Sequence, residues 1–297
     1  MSKDRKQPRL IKSKWGFYQY EPKPSEIELE EYYAKKYYQK GCGSYEVFYS
    51  KEELEWNKLK AWLIYREVEK LISKKNGNLI DIGCGEGWLL NEFYNHGWLV
   101  AGMDFSKYVI KKYHPHLLEF FEQGNIYRLM KQKIQEGKKF DIIFLGNVIE
   151  HVIDPVYLLN DVKSIMRKHS MLVIVAPNDF SQLHKHLLDN KCIKKEWWLA
   201  YPDHLSYFNK LSMSNLVHDL GFKINMIVAD NPIDLNLLNE NSNYINDTSK
   251  GKNTHTFRVR IDNFMASIDR EKMLCLYEVL GSMGIGRDLI YYCSFMS

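Results

Sequence analysis

The stretch LIDIGCGEGWLL, residues 79–90, constrains the fold of this chain more than any other segment. An apolar run that reads as a strand ends at Asp81 and passes through Gly83, Gly85 and Gly87 into a helical pattern. Glycines permit a tight turn and let a ligand approach the backbone, while the helix start offers unpaired N–H groups. A strand that turns straight into a helix is the repeating unit of a parallel sheet covered by helices.

The following sequence keeps that rhythm. The runs NLIDI (78–82), WLVAGM (98–103), LLEFF (117–121), FDIIFL (140–145), MLVIVA (171–176) and FKINMIV (222–228) read as strands separated by helical patterns, and DLIYYCSFM as one last strand. The fold class is therefore α/β, a parallel sheet wrapped by helices. Ahead of it, residues 1–24 read as irregular, with Pro8, Pro22 and Pro24 as breakers, and Ser25 caps a helix over EIELEEYYAKKYY. A second helix covers 51–75 and stops at Asn76-Gly77. Residues 231–256 are Asn-rich and polar, which predicts a loop or mobile insertion, and a helical pattern follows near 260–281. The turn GSMGIGRD (281–288) precedes the last strand instead of following one, so it reads as a turn and not as a phosphate loop. The chain divides into an N-terminal arm and helical lid (1–75), a core (76–230), and an insertion with the final strand (231–297).

Composition narrows the class. With 45% hydrophobic residues the chain can bury a large core, and its 20 Tyr and 7 Trp suit both packing and pockets. The five cysteines, Cys42, Cys84, Cys192, Cys275 and Cys293, have no metal or disulfide spacing, which fits a reducing cytoplasm. No run approaches the roughly 18 apolar residues of a membrane span. The net charge of +4 is modest; Lys3, Arg5, Lys6, Arg9, Lys12 and Lys14 form a basic arm that reads as solvated. Without aromatic interleaving it gives little support for nucleic-acid binding.

The ligand of the glycine turn follows from its chemistry. Asp104 ends the next strand, where a carboxylate accepts hydrogen bonds from ribose hydroxyls. A dinucleotide site would place a third glycine at Trp88, whose bulk opposes a pyrophosphate. An adenosine-containing ligand without phosphate fits better, with Asp81 or Glu86 facing a cationic group. S-adenosylmethionine has these parts.

DIGCGEG with Asp104 resembles the first motif and second-strand acid of class I S-adenosylmethionine-dependent methyltransferases. The likeness runs over about 78–229, through FLGNVIEHVIDP (144–155) and PDHLSYFNKLSMSNLVHDLGF, and is similar to the ubiquinone-type O-methyltransferase subgroup. The segments WGFYQYEPKPSEIELEEYYAKKYY and GIGRDLIYYC look like bacterial members from surface-polysaccharide gene clusters. The resemblance implies a Rossmann-like, seven-stranded, mostly parallel sheet with an antiparallel last strand and a cofactor at the carboxyl ends of its strands. It also implies that Gly83, Gly85 and Gly87 line the methionine portion and that Asp104 holds the ribose. Phe105, Asn125 and Ile126 would meet adenine, and Gly146 and Asn147 would sit by the sulfonium. Gly124-Asn125 also reads as an ordinary turn pair.

Methyl transfer to a hydroxyl benefits from a base, and His151 and His204 are the candidates. Glu150 is either a participant or a cap for the helix starting near Asp154-Pro155. His184 and His186 read as solvent-facing or lid residues. Glu150-His151 also resembles the E-x-x-E-H metal site of RNA 3′-end 2′-O-methyltransferases, with His204 as a further ligand; Asn147 replaces the first acid, and the reading is no metal. The aromatics Trp15, Tyr18, Trp197, Trp198, Tyr201 and Tyr207, with Tyr32 and Tyr33, form a candidate acceptor pocket, and Tyr37 or Tyr38 a candidate lid contact. The expected acceptor is a small polar molecule, a hydroxyl on a sugar or nucleotide sugar of polysaccharide biosynthesis. The alternatives are an RNA 3′-terminal ribose and a non-catalytic S-adenosylmethionine-binding regulatory module.

Overall fold

The computed structural model describes residues 8–32 and 48–296. A hairpin of β1 (Arg9–Lys12) and β2 (Tyr18–Glu21) leads to α1 (Glu26–Tyr32) and the long α2 (Lys51–Leu71). Then come β3 (Asn78–Ile82), α3 (Trp88–Asn95), β4 (Leu99–Asp104), α4 (Tyr108–Tyr113), β5 (Phe121–Gln123), α5 (Ile126–Gln135), β6 (Phe140–Gly146), α6 (Pro155–Ile165) and β7 (Met166–Pro177). The chain finishes with α7 (Gln182–Asp189), β8 (Ser206–Tyr207), α8 (Lys210–Asp219), β9 (Phe222–Ala229), α9 (Gly251–Ile268), α10 (Arg270–Met283) and β10 (Asp288–Phe295).

Seven strands form the main sheet in the order β5-β4-β3-β6-β7-β10-β9, and β10 alone runs antiparallel to both neighbours. The period of two along each strand sends Ile80, Ile143, Leu172 and Ile174 to one face, against α5, α6 and α8. Leu79, Ile142, Val173 and Tyr292 go to the other, against α2, α3 and α10. Burying each such aliphatic side chain is worth about 1.5–3 kcal/mol, so both helical layers are held by the same strands. Helix α2 starts at a capping box in which Ser50 and Glu53 bond each other's backbone N–H.

Three expectations need correction. LLEFF is mostly a 3₁₀ helix over Pro115–Phe120, because Pro115 fixes the first turn and Leu117 packs inward; the strand is only Phe121–Gln123. Residues 9–21 are not irregular: β1 and β2 pair, and β2 adds to β8 through Tyr18 and Tyr207. Gly16 at φ +95° makes that turn, and Phe17, 1% exposed, anchors it against Phe208. The Asn-rich insertion is packed. Its segment Ile233–Leu238 is a 3₁₀ helix, and buried Asn243 donates to the carbonyls of Cys192 and Leu237 at 2.8 and 3.0 Å. The helical pattern that follows is two helices, divided at Asp269, whose side chain caps α10.

Ser25 caps α1 as expected; the expected helical positions Tyr33, Tyr37 and Tyr38 lie outside the described residues, as do Cys42 and the start of the basic arm. Cys84, Cys192, Cys275 and Cys293 are free thiols. Among the described residues no helix is long and apolar enough to cross a membrane.

One contact between layers carries a titratable group. Glu67 on α2 is 1% exposed, with Lys70 at 3.3 Å, and Lys70 reaches Glu278 on α10 at 2.8 Å. Burial, and then Glu278, push Glu67 from 4.5 up to about 7. Folding thus favours the protonated acid, and this contribution is full below pH 4.5 and lost as pH rises through about 7. Glu67→Gln should therefore melt roughly 2–4 °C above the parent at pH 8, with the gap closing toward pH 5, by scanning calorimetry.

Candidate active site

The glycine turn is tied to the neighbouring strand by one carbonyl: the N–H groups of Gly83 and Cys84 both donate to Met103 O, at 2.8 and 3.1 Å. Gly83, Gly85 and Gly87 take φ of +78°, +51° and +78°, which side chains resist. A Cβ at Gly83 would lie 2.5 Å from Val148 Cγ2. Gly83 and Gly85 line a cavity of about 780 Å³ over the carboxyl ends of β3, β4 and β6. Gly87 instead backs onto Ile110 and His114 as the cap residue of α3, so it shapes the turn from behind.

Two carboxylates stand at the floor. Asp104 accepts from Gly85 N at 3.0 Å and Ser106 N at 3.1 Å. Asp81 is 2% exposed, its Oδ1 has no hydrogen-bond partner among the described residues, and burial followed by Asp104 raises its pKa well above the usual range. Glu86 is already engaged by Trp88 Nε1 (2.6 Å) and Tyr49 OH (2.9 Å). Of the two acids considered for a cationic group, Asp81 is the one left wanting a partner. Phe105 and Ile126 line the same end, and Asn125 caps α5 by accepting from Tyr127 N at 2.9 Å while also facing the cavity.

At the end of β6, Gly146 and Asn147 enter the cavity wall, with Asn147 held at φ +52° and donating to Asp288 Oδ2 at 3.3 Å. Glu150, 1% exposed, uses its main-chain oxygen to receive Leu205 N (2.8 Å) and Ser206 N (3.0 Å). Those two bonds bring the 200–207 segment onto the β6 turn. The ring of His151 meets that of His204 edge to face at 4.8 Å. His151 Nδ1 lies 2.7 Å from Asp203 O, and Nε2 lies 3.7 Å from Glu150 Oε1. Burial lowers the pKa of His151, against the pull of Asp203, and lowers that of His204 to about 3, helped by His151 and Arg287. Burial pushes Glu150 well above the carboxylate range, and its Oε2 has no partner among the described residues.

Glu150, His151 and His204 thus stand together, and Glu150 is not the helix cap: Asp154 caps α6, accepting from Val156 N and Tyr157 N. His184 is not solvent-facing. It is 1% exposed, stacked on Trp198 at 4.1 Å and bonded to Asp234 at 3.0 Å, because the packed insertion covers it; His186 is exposed. Trp197, Trp198 and Tyr207 pack together beside α7 and do not line the cavity, whose aromatic residues include Tyr49, Trp56, Tyr277 and Tyr292 instead.

Sequence reasoning missed Lys60, Asp203, Asp230 and Asp288, all in the cavity wall. Lys60 sits over the Trp56 ring at 3.8 Å, and burial with nearby Arg258 lowers its pKa to about 8. In sequence it is one lysine on a helix rich in them; only its place one turn after Trp56 hints at burial.

Comparisons fit this geometry. A family model described as a methyltransferase domain matches residues 56–225. The ubiquinone biosynthesis O-methyltransferase of Coxiella burnetii is 30% identical over 103 residues, 34% of this chain and 43% of that one. The same-named protein of Glaesserella parasuis is 30% identical over 128 residues, 41% and 53% of the two chains. The match therefore spans about half the length of these curated relatives. Among solved structures, the plantazolicin methyltransferase BpumL in complex with SAH shares the fold at 14% identity and a TM-score of 0.50, over 91% of this chain and 94% of that one.

The turn can be tested without any ligand. Gly97 has the same φ of +78° as Gly83, but a Cβ there would meet nothing within 4 Å. Gly97→Ala should cost about 1 kcal/mol in urea unfolding, and Gly83→Ala about 1–3 kcal/mol beyond that, since Val148 must move.

Proposed function

The chain belongs to the methyltransferase domain family, of the class I S-adenosylmethionine-dependent kind, and on that premise we propose that it methylates a hydroxyl of a small polar acceptor, a sugar or nucleotide sugar. The observation that carries the reading is the convergence, in one cavity, of the glycine turn and two buried carboxylates with Glu150, His151 and His204.

The residues present fit the cofactor. It is cationic at its sulfonium and amino groups, and Asp81 offers a buried oxygen with no hydrogen-bond partner among the described residues. Asp104 would hold the ribose hydroxyls, Gly83 and Gly85 the methionine backbone, Phe105 and Ile126 the adenine faces, and Gly146 and Asn147 the sulfonium end. Lys60 would face the cofactor's carboxylate. When bound, S-adenosylmethionine supplies a methyl group already activated by the sulfonium.

The chain's work is then to align the acceptor and take its proton. His151, its pKa held below 6.5 by burial, is neutral at pH 7 and would receive that proton on Nε2. His204, neutral as well, would orient the hydroxyl. The wall formed by Asn147, Asp230, Asn231 and Asp288 supplies hydrogen-bonding groups suited to a hydroxyl-rich ligand. One carboxylate and two imidazoles do approach within 4.8 Å at Glu150, His151 and His204. Asn147, where the E-x-x-E-H pattern has its first acid, donates to Asp288, so the hard-cation set is incomplete and the reading needs no metal. The free cysteines support a cytoplasmic setting, and the N-terminal and C-terminal likenesses support a role in polysaccharide synthesis.

Calorimetry with S-adenosylhomocysteine is the first test. The wild type should bind, Gly85→Arg should not, and Asp104→Ala should bind at least about tenfold more weakly, roughly 1.4 kcal/mol. No binding by the wild type would sink the reading. Turnover on nucleotide-sugar and RNA pools, each with and without EDTA, then separates the acceptors: sugar methylation that survives EDTA is expected, and activity confined to RNA would replace the acceptor. His151→Ala should lower kcat about 10²–10⁴-fold with cofactor binding unchanged. The acid limb of the wild-type rate should fall below pH 6.5, because a base of lowered pKa stays unprotonated further into acid.

A further inference from the structure

We propose that Asp203 is a positioning residue for the transfer: its carbonyl fixes the tautomer of His151, and its carboxylate stands behind that ring to stabilise the imidazolium as the acceptor's proton arrives. This rests on His151 as the base, a reading that the closing experiment checks separately.

A carbonyl can only accept, so the 2.7 Å contact between Asp203 O and His151 Nδ1 requires the proton on Nδ1. A neutral imidazole then carries its lone pair on Nε2, the nitrogen on the Glu150 side. The same residue places carboxylate Oδ1 3.6 Å from Nδ1. That oxygen is buried and has no hydrogen-bond partner among the described residues. Its interaction with His151 is therefore one of charge, and it grows when the ring becomes cationic.

Among the described residues, the other groups printed against the ring supply less of that charge. Glu150 lies on the Nε2 side and is pushed toward its neutral form by burial. His204 meets the ring edge to face and is kept neutral, with Arg287 contributing to that effect. Among the described residues Asp203 is the carboxylate on the Nδ1 side; burial raises its pKa above its ordinary value, less strongly than that of Glu150, and the His151 ring draws it back toward the charged form.

The segment holding Asp203 is fixed from several directions. His204 N donates to Ala200 O at 2.9 Å, Leu205 N and Ser206 N donate to Glu150 O, and Tyr207 OH donates to His204 O at 3.1 Å. The carbonyl is thus presented to the ring by a braced turn. In the transfer, the acceptor oxygen forms its bond to the methyl carbon as the sulfur–carbon bond breaks. The hydroxyl proton goes to His151 Nε2, S-adenosylhomocysteine leaves, and the proton later passes to solvent. Asp203 neither gives nor takes a proton.

A double-mutant cycle tests this, using methyl transfer from labelled S-adenosylmethionine to the nucleotide-sugar pool. Asp203→Asn should lower kcat about 10–100-fold with KM for S-adenosylmethionine within twofold, and should cause no further loss in the His151→Ala background. Equal losses in both backgrounds, or an unchanged kcat in Asp203→Asn, would overturn the proposal. Full activity in His151→Ala would instead remove the base reading beneath it.

Nitrogen-15 NMR of histidine-labelled protein with S-adenosylhomocysteine decides the matter even if the pool is not turned over. Neutral His151 should carry its proton on Nδ1, and Asp203→Asn should move its titration midpoint down by about one pH unit. A proton on Nε2, or an unmoved midpoint, would overturn the proposal. If Asp203→Asn melts far below the wild type, Asp203→Ser is read by the same criteria.

Discussion

A single carbonyl, that of Met103, sets the geometry on which the site depends. By receiving both Gly83 N and Cys84 N it folds the end of β3 against the end of β4, and Asp104 then closes the loop through Gly85 N. Within the turn itself only backbone N–H groups make these bonds, and Asp104 reaches in from the next strand, so the space above stays open for a ligand. The cost is three backbone positions in the left-handed region and two carboxylates, Asp81 and Asp104, buried side by side. Such an arrangement persists only because the sheet beneath is packed on both faces.

What was legible in the sequence follows from this division. Strands buried on both faces read as near-continuous apolar runs, and the glycine turn has a pattern that few other structures need, so β3, β4, β6, β7, β9 and β10 were visible. Marginal elements were not. Phe121–Gln123 is too short to show a period, and the β1–β2 hairpin is polar on its outer face and stabilised by a strand from the far half of the chain. The insertion looked mobile because its asparagines resemble those of a loop. In the structure they hold carbonyls that the irregular backbone leaves without ladder partners, which composition alone does not reveal.

The site divides along the same line. Residues carried by the glycine turn and the ends of β4 and β6 were readable because they sit at fixed offsets from strands. Lys60, Asp203, Asp230 and Asp288 were not, since their relevance comes from tertiary packing of α2, the 200–207 segment and the last two strands against one cavity. Glu150 shows why local rules were insufficient. An acid shortly before a helix is a reasonable cap, but Asp154 is nearer to the orphan N–H groups and takes that role, leaving Glu150 buried beside His151.

The small sheet has a consequence for how the candidate site is assembled. β8 closely follows His204, and its outer edge is completed by Tyr18 and Gln19 from near the start of the chain. The wall that presents the histidine pair is therefore closed by contacts of very high sequence separation, which form late when a chain folds because a long loop must first be closed. The floor at the glycine turn, built between β3 and β4, needs only pairings of much shorter sequence separation, such as Asn78 with Leu99. In a nascent or partly unfolded molecule, the two halves of the site are thus expected to acquire order at different times, the floor before the wall.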